Sequence, residues 1–217
     1  NPIWANETRL GKYQDAWMIL NKSATDIYYQ TQTTSLISIP GGGNFVCWSL
    51  QIHNSNHTTK TADRKYYYSS SKEKYKVYLA EEKVEAIPAR NYTRKNGLQY
   101  EYNKAGEKKI DAIIFTDGET CDLLNVPWMN DGKGCELWVK SEYKENIPAC
   151  CSFIFDLLCG AVGSHDVYNK ESCVNVVETW EDMTKNGQGG YMKQTKQILP
   201  FNETIYWRGD LKNLTSF

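Results

Sequence analysis

Residues 44–53 read Asn44-Phe45-Val46-Cys47-Trp48-Ser49-Leu50-Gln51-Ile52-His53, directly after Pro40-Gly41-Gly42-Gly43. Side chains alternate sides along a strand, so Val46, Trp48, Leu50 and Ile52 share one apolar face. Before the glycines, Ile27–Ile39 is rich in Tyr, Thr and Ile, residues that fit a pleated surface. Two such runs around a Pro-Gly turn make a hairpin. Similar runs continue at Arg64–Ser70, Lys74–Ile87, Leu98–Tyr102, Ile110–Asp117, Cys121–Val126 and Cys135–Lys140. Asn96-Gly97, Asp117-Gly118 and Asp131-Gly132 read as the turns between them. About eight strands in roughly 115 residues, with no helix between them, predict an antiparallel barrel or sandwich.

Helical patterns flank this run. Tyr13, Ala16, Trp17 and Leu20 fall on one face of a short amphipathic helix over residues 9–20. A second helix is predicted over Asn146–Gly160, with Asn146 as N-cap, Pro148 in the first turn and Gly160 at the end. Its apolar set Phe153, Ile154, Leu157 and Leu158 should pack on a sheet. Short helix, strand meander and single helix is an order that fits an eight-stranded up-and-down barrel, whose interior holds one small ligand. Beyond Cys173 the character changes: Asn175–Lys185 reads as a helix, Asn186-Gly187-Gln188-Gly189-Gly190 breaks it, and the rest has little periodicity. The expected division is therefore a barrel over 1–173 and an extension over 174–217 that packs on or flanks it.

Composition sets the chemical class. With 25 Lys+Arg against 26 Asp+Glu in 217 residues, the net charge is −1. That balance gives no electrostatic reason to bind nucleic acid or an anionic membrane surface. Fifteen Tyr and seven Trp suit strands and a pocket that grips flat ligands. The seven Cys, at 47, 121, 135, 150, 151, 159 and 173, include no Cys-x-x-Cys pair, which speaks against a zinc ribbon or a thioredoxin-type site. Sequons stand at Asn6, Asn21, Asn56, Asn91, Asn202 and Asn213. Roughly two or three would arise by shuffling, so N-glycosylation and an oxidising, secreted location are expected. The chain opens Asn1-Pro2-Ile3-Trp4 with no charged n-region or apolar h-region, as expected after removal of a signal peptide. The best apolar run, Ile147 to Val162, is interrupted by Asp156 and does not read as a membrane span.

Catalytic patterns fail on physical grounds. Ser164-His165-Asp166 spells a triad, but adjacent residues cannot converge as nucleophile, base and orienter. His53 and His57 read as solvent-facing, not as metal ligands, and Gly41-Gly42-Gly43 lacks the Gly-Lys-Ser/Thr of a phosphate loop. No enzyme activity, metal or cofactor is expected. Arg208-Gly209-Asp210 can engage integrins when displayed on a loop, and equally reads as a surface turn between Trp207 and Leu211.

The informative segment is Cys121-Asp122-Leu123, followed by Glu136-Leu137-Trp138 and Cys150. Strand parity puts Glu136 and Trp138 on one face, and Leu137 and Val139 on the other. If Leu137 and Val139 pack outward under the Asn146–Gly160 helix, a carboxylate and an indole point into the barrel, joined by Asp122. The same parity groups Glu82 with Tyr78, Ala80 and Val84, and Tyr100 with Leu98 and Tyr102. Inward carboxylates are costly unpaired, so they imply a cationic partner. A small organic amine fits, its ammonium on the acids and its ring against Trp and Tyr. No Arg or Lys is expected on the inward parity beside Glu136 or Tyr100, which disfavours an anionic lipid.

These motifs and their gaps resemble the signature of the biogenic-amine-binding lipocalins of tick saliva. The likeness extends to Gln14-Asp15-Ala16-Trp17, Tyr28-Tyr29, Cys47, Glu82-Lys83-Val84, Asn146-Ile147-Pro148-Ala149 and Cys173, covering about residues 1–173. It implies an eight-stranded antiparallel lipocalin barrel, to which the residue patterns add a short N-terminal helix, a C-terminal helix and an extra C-terminal tail. The implied function is a secreted, monomeric, non-enzymatic scavenger of host histamine or serotonin, which suppresses inflammation at the bite. Position by position, the resemblance implies ligand carboxylates at Glu82, Asp122 and Glu136, and ring contacts at Tyr28, Tyr100 and Trp138. It implies a Cys47–Cys173 bridge and pairs Cys121 with Cys151 or its neighbour Cys150, leaving Cys135 and Cys159 as candidate third partners. One thiol of seven stays free or links chains.

The sequence also departs from that pattern. Two-site histamine binders of the family carry Tyr, Asp and Trp where Ser35, Ser38 and Gly41 stand here, and an acidic residue expected near Ser23 is missing. The expectation is one lost pocket, with Glu82 short of an acidic partner and the Asp122/Glu136 region nearly whole. A single amine site follows, with an eicosanoid or fatty-acid scavenger of the same fold, or an adhesion antagonist acting through Arg208-Gly209-Asp210, as alternatives.

Overall fold

The computed structural model describes residues 2–38, 42–102, 106–186 and 197–199. Eight antiparallel strands close into a barrel: β1 (Ile27–Thr33), β2 (Asn44–Asn56), β3 (Thr61–Ser70), β4 (Lys76–Pro88), β5 (Lys95–Glu101), β6 (Lys108–Thr116), β7 (Cys121–Val126) and β8 (Gly134–Lys140). Each strand pairs with the next, and β1 pairs with β8 through Tyr28↔Lys140 to Thr33↔Glu136, which closes the ring. Closure removes the exposed strand edges that invite aggregation. This is the lipocalin barrel that the resemblance implies. The first strand ends at Thr33 rather than Ile39. Its continuation Ile37–Ser38 pairs with Phe45–Asn44, and Ile39, Pro40 and Gly41 lie outside the described residues.

Two local readings are corrected. Asn96-Gly97 is not a turn but lies inside β5, where Asn96 is fully buried and its Oδ1 accepts from the Ala89 N–H at 2.8 Å. Gly97 pairs with Ala112, and a Cβ there would meet Ile110 Cγ2 at 2.8 Å and Ala89 Cβ at 2.9 Å. That glycine serves close packing, and the turn falls at Arg90-Asn91, both with positive φ. On β2, Val46 does not share the face of Trp48, Leu50 and Ile52. A bulge at Cys47 (φ 59°) sends Val46 to an outer cluster while Phe45 and Trp48 face the interior.

The expected helix over 9–20 is broken into α1 (Glu7–Leu10), a turn at Gly11–Tyr13 and α2 (Ala16–Leu20). Gln14 stops it. This fully buried amide donates to the carbonyls of Trp4 and Ile114, both at 2.9 Å, and accepts from the Tyr92 hydroxyl at 2.8 Å. Asp15 then restarts the chain as an N-cap, accepting from Trp17 N–H at 2.9 Å. Helix α2 inserts Ala16, Ile19 and Leu20 into the interior core, and its Trp17 meets His57 and Lys60 of the β2–β3 loop. It covers that mouth of the barrel.

Helix α3 (Ala149–Cys159) starts later than expected, with Pro148 rather than Asn146 at the cap position; Gly160 is right-handed helical and leads into one further turn. Its buried stripe is Cys151, Phe155 and Cys159, backed by Ile154 and Leu158, whereas Phe153 and Leu157 are 64% and 62% exposed. Two disulfides decide that rotation: Cys121–Cys151 and Cys135–Cys159 tie both ends of the helix to the outer faces of β7 and β8. Separations of 30 and 24 residues correspond to about 3.5 kcal/mol each in the chain-entropy picture. Cys150 points away and is an exposed free thiol. Leu137 and Val139 pack outward under α3, as parity predicts.

Helix α4 (Val174–Asn186) follows the Cys47–Cys173 disulfide and lies on the outside of the barrel. Its Trp180 is buried against Tyr67 (ring centroids 4.6 Å apart) and donates to Ser49 Oγ at 2.8 Å. Residues 197–199 add a short parallel pairing to β4. Among the described residues no helix is long and apolar enough to cross a membrane. Gly41, Trp207, Arg208-Gly209-Asp210 and the sequons at Asn202 and Asn213 lie outside the described residues; Asn6, Asn21, Asn56 and Asn91 are exposed.

Candidate functional site

The barrel interior is an aromatic column. Trp48 stacks on Tyr68 at 3.9 Å between ring centroids and 11° between planes, with Phe45 and Tyr78 edge-on to Tyr68 or stacked beside it. Tyr66 continues the column, 6.2 Å from Trp48 and 6.1 Å from Trp138. On β3 the rings of Tyr66 and Tyr68 follow the period of two, whereas on β2 the bulge at Cys47 brings Phe45 and Trp48, three positions apart, to the same face. Buried aromatic faces attract cations and flat rings, and this interior offers both surfaces.

The six predicted ligand residues fall into three groups along this column. Glu136 and Trp138 form the first. Glu136 is fully buried, and its Oε2 accepts from Trp138 Nε1 at 3.1 Å. That bond fixes the indole, whose ring is tilted by 57° to Tyr66, with the acid at its Nε1 edge.

Asp122 and Tyr28 form the second group, at the α2 end. Asp122 Oδ1 accepts from Thr116 Oγ1 at 2.7 Å, and its Oδ2 lies 2.5 Å from Lys22 Nζ. The same ammonium is 3.4 Å from the centroid of the Tyr28 ring, whose hydroxyl donates to the Glu119 carbonyl. Burial, with the Asp122 charge adding to it, raises the Tyr28 phenol well above its ordinary value and keeps it a neutral donor. Burial pulls the Lys22 pKa down, while Asp122 pushes it back up.

Glu82 and Tyr100 form the third. Glu82 Oε1 lies 2.5 Å from Arg64 Nη2 and accepts from the Tyr66 hydroxyl at 2.7 Å. Arg64 is 2% exposed, 5.2 Å from the Tyr100 ring and 5.6 Å from the Tyr66 ring. The expectation that no cation faces inward beside Tyr100 is therefore wrong. Arg64 shares the inward parity of Tyr66 and Tyr68 on β3, so the sequence did carry that signal. The Tyr100 hydroxyl donates to Asp111 Oδ1 and accepts from Trp128 Nε1, both at 2.9 Å. Where β4 and β5 part beyond Glu85↔Gln99, a lateral cleft of about 360 Å³ is lined by Glu82 and Tyr100.

Lys22, Arg64, Tyr66, Trp48, Asp111 and Trp128 are thus interior residues that the motif reading missed. Tyr66 obeys strand periodicity. Trp128 and Lys22 do not: Trp128 sits in the turn after β7 and Lys22 in the irregular segment between α2 and β1, where no period fixes where a side chain points. A separate groove of about 1190 Å³ lies on the outer face between Trp4, Arg90, Lys133 and Leu158, away from every predicted ligand residue. Apolar residues such as Trp4, Ile110 and Leu158 line it together with the exposed charges of Arg90, Asp131 and Lys133, and the interior column, with its buried acids, is the site candidate. Among the described residues no group of three or more His, Cys, Asp or Glu side chains is arranged to hold a metal ion.

Residues 4–175 match the family model described as tick histamine binding protein. The chain is 34% identical over 158 residues to the male-specific histamine-binding salivary protein of Rhipicephalus appendiculatus, covering 70% of this chain and 76% of that one. It is 24% identical over 172 residues to the female-specific histamine-binding protein 1 of the same tick, covering 78% and 87%. Among solved structures it is similar to AM182 in its serotonin complex, with a TM-score of 0.52 and 20% identity, covering 73% of this chain and 91% of that one.

Proposed function

This chain belongs to the tick histamine-binding protein family, and from that premise we propose that its barrel captures one small biogenic amine, histamine or serotonin. The observation that carries the reading is the pairing of fully buried Glu136 with Trp138 at the end of an aromatic column. An ammonium on that carboxylate would form a charge-assisted hydrogen bond, and the ring would lie against Trp138, Tyr66 and Trp48. Tyr28, Tyr100, Asp122 and Glu82 belong to the flanking groups, where Lys22 and Arg64 already meet the acids. Capture by the secreted protein at the bite would lower free amine and so suppress inflammation. The exposed sequons at Asn6, Asn21, Asn56 and Asn91, three disulfides, and relatives named as salivary support export and glycosylation.

An anionic lipid is the competing ligand. Arg64 could serve its carboxylate, but the guanidinium is engaged by Glu82, and a lipid acid would have to break that pair. Calorimetric titration with histamine, serotonin and leukotriene B4 tests the amine reading: saturable heat with an amine at one molecule per chain is expected. Binding of leukotriene B4 alone would overturn it.

A further inference from the structure

The outer groove between Trp4 and α3 carries two cations that no acid of the chain neutralises. Its volume of about 1190 Å³ lies just above the roughly 300–1,000 Å³ of sites that enclose a small organic ligand. Apolar side chains line it: Ala89, Ile110 and Ala112 from the barrel wall, Trp4 from the N-terminal segment, and Leu158 and Val162 from α3 and the turn after it. Arg90 and Lys133 line the same groove, and both are exposed. Among the described residues neither forms an ion pair, not even with Asp131 of the same groove. Arg90 is held in place all the same. Its Nη2 donates to Asn125 Oδ1 at 2.7 Å, and its guanidinium carbon lies 5.4 Å from the centroid of the Trp4 ring. Asn125 is 3% exposed, and its Nδ2 donates at 3.0 Å to the carbonyls of Gly132 and Gly134, on either side of Lys133. One buried amide therefore ties both cation-bearing turns to the groove.

The backbone under Arg90 is strained as well. Arg90 and Asn91, with φ of 56° and 62°, are the central pair of a turn closed by the Tyr92 N–H on the Ala89 carbonyl at 3.1 Å. Left-handed backbone is unfavourable for a residue with a Cβ, and Asn-Gly is the usual pair in such a turn. Strain of this kind collects at ligand-contacting sites. Beyond the bond to Asn125, the donor fork of Arg90 carries no hydrogen bond among the described residues. A fixed guanidinium beside apolar surface, with no counter-ion of its own, matches a planar carboxylate at the head of a hydrocarbon chain. We propose that this groove is a second ligand site, which takes a single-chain amphiphilic acid of the fatty-acid class. The carboxylate lies on Arg90, with Lys133 adding positive charge, and the chain runs along Ala89, Ile110, Ala112 and Leu158. The site is outside the barrel, so it neither uses nor blocks the interior acids and stands without the amine reading.

Laurate, kept below its micelle-forming concentration, is the probe, titrated by calorimetry into the full glycosylated chain. Saturable binding of one laurate per chain is expected. Arg90→Gln removes a charge-assisted hydrogen bond and should weaken it by about tenfold or more. Ala161→Glu sets a carboxylate on the exposed turn that lines the groove and should abolish it by repulsion and bulk. Histamine affinity, measured on the same variants, should stay within about twofold of the unaltered protein. If Arg90→Gln fails to fold, as read by circular dichroism, Ala161→Glu decides alone. Absence of laurate binding overturns the site. Laurate affinity that both variants leave unchanged within about twofold also overturns it, since the acid then sits inside the barrel. Asn91, whose sequon borders the groove, supplies the competing occupant: laurate binding that appears only after enzymatic deglycosylation assigns the groove to that glycan and overturns the site. A chain that binds laurate as described but no histamine upholds the groove and counts against the amine reading alone.

Discussion

Glu82→Gln separates the two roles that a carboxylate can have inside this barrel, ligand group or counter-ion. Glu82 sits 2.5 Å from an Arg64 guanidinium whose side chain is 2% exposed, and only 10% of its own side chain is exposed. Removing one partner of a buried pair strands the other charge, at a cost of about 3–5 kcal/mol. Glutamine keeps the shape and can still accept from the Tyr66 hydroxyl, so the lower end, about 3 kcal/mol, is expected. In urea, with a slope of about 2–3 kcal/mol/M, this is a midpoint shift of roughly 1–1.5 M. The double variant Arg64→Met with Glu82→Leu removes both charges and should recover to within about 1 kcal/mol of the unaltered protein. Amine affinity of folded Glu82→Gln should stay within about tenfold, or 1.4 kcal/mol. A stability loss under about 1 kcal/mol together with abolished amine binding would refute this reasoning, since Glu82 would then be a ligand group.

Trp180→Ala removes a ring buried outside the barrel against Tyr67; it should cost about 3–5 kcal/mol in a denaturant melt yet leave amine affinity within tenfold, because the tail helix is not part of the pocket. Gly97→Ala drives a methyl into Ile110 and Ala89 and should lower stability by about 1–3 kcal/mol, read as a lower Tm. Glu7 is held below its ordinary 4.5 by the Thr93 and Arg94 backbone N–H groups and the Thr93 hydroxyl. A depressed acid stabilises the fold above its unfolded value and loses that contribution as pH falls through the folded one. Glu7→Gln should therefore be less stable than the unaltered protein at neutral pH, with the gap closing as melts are taken to progressively lower pH.

Strand periodicity made the barrel legible, because burial on one face forces alternation that survives in the sequence. All eight barrel strands overlap their predicted runs, and Leu137/Val139 against Glu136/Trp138 divides outer from inner as parity requires. Failures came where a local device overrides the period. One positive-φ residue, Cys47, flips Val46 to the outside; one buried amide, Gln14, breaks a helix that the 3.6-residue pattern continues. The face of α3 was misjudged because hydrophobicity alone favours Phe153 and Leu157, whereas two disulfides to Cys151 and Cys159 fix its rotation. That Glu136 and Trp138 face inward was readable from strand parity, whereas Tyr28 entered only through the family resemblance. The interior cations divide likewise: Arg64 lay on a readable strand, but Lys22 arrives from an irregular segment.

The central claim is that a buried carboxylate, Glu136, captures an amine beside Trp138. Calorimetric titration of Glu136→Gln against the unaltered protein, with histamine and serotonin in turn, tests it most directly. Gln keeps the side-chain volume and an acceptor for Trp138 Nε1, so circular dichroism should show an unchanged fold. Losing the charged partner of a desolvated ammonium costs about 2–5 kcal/mol, so affinity should fall by about thirtyfold or more. An affinity unchanged within threefold would place the amine elsewhere and contradict the account.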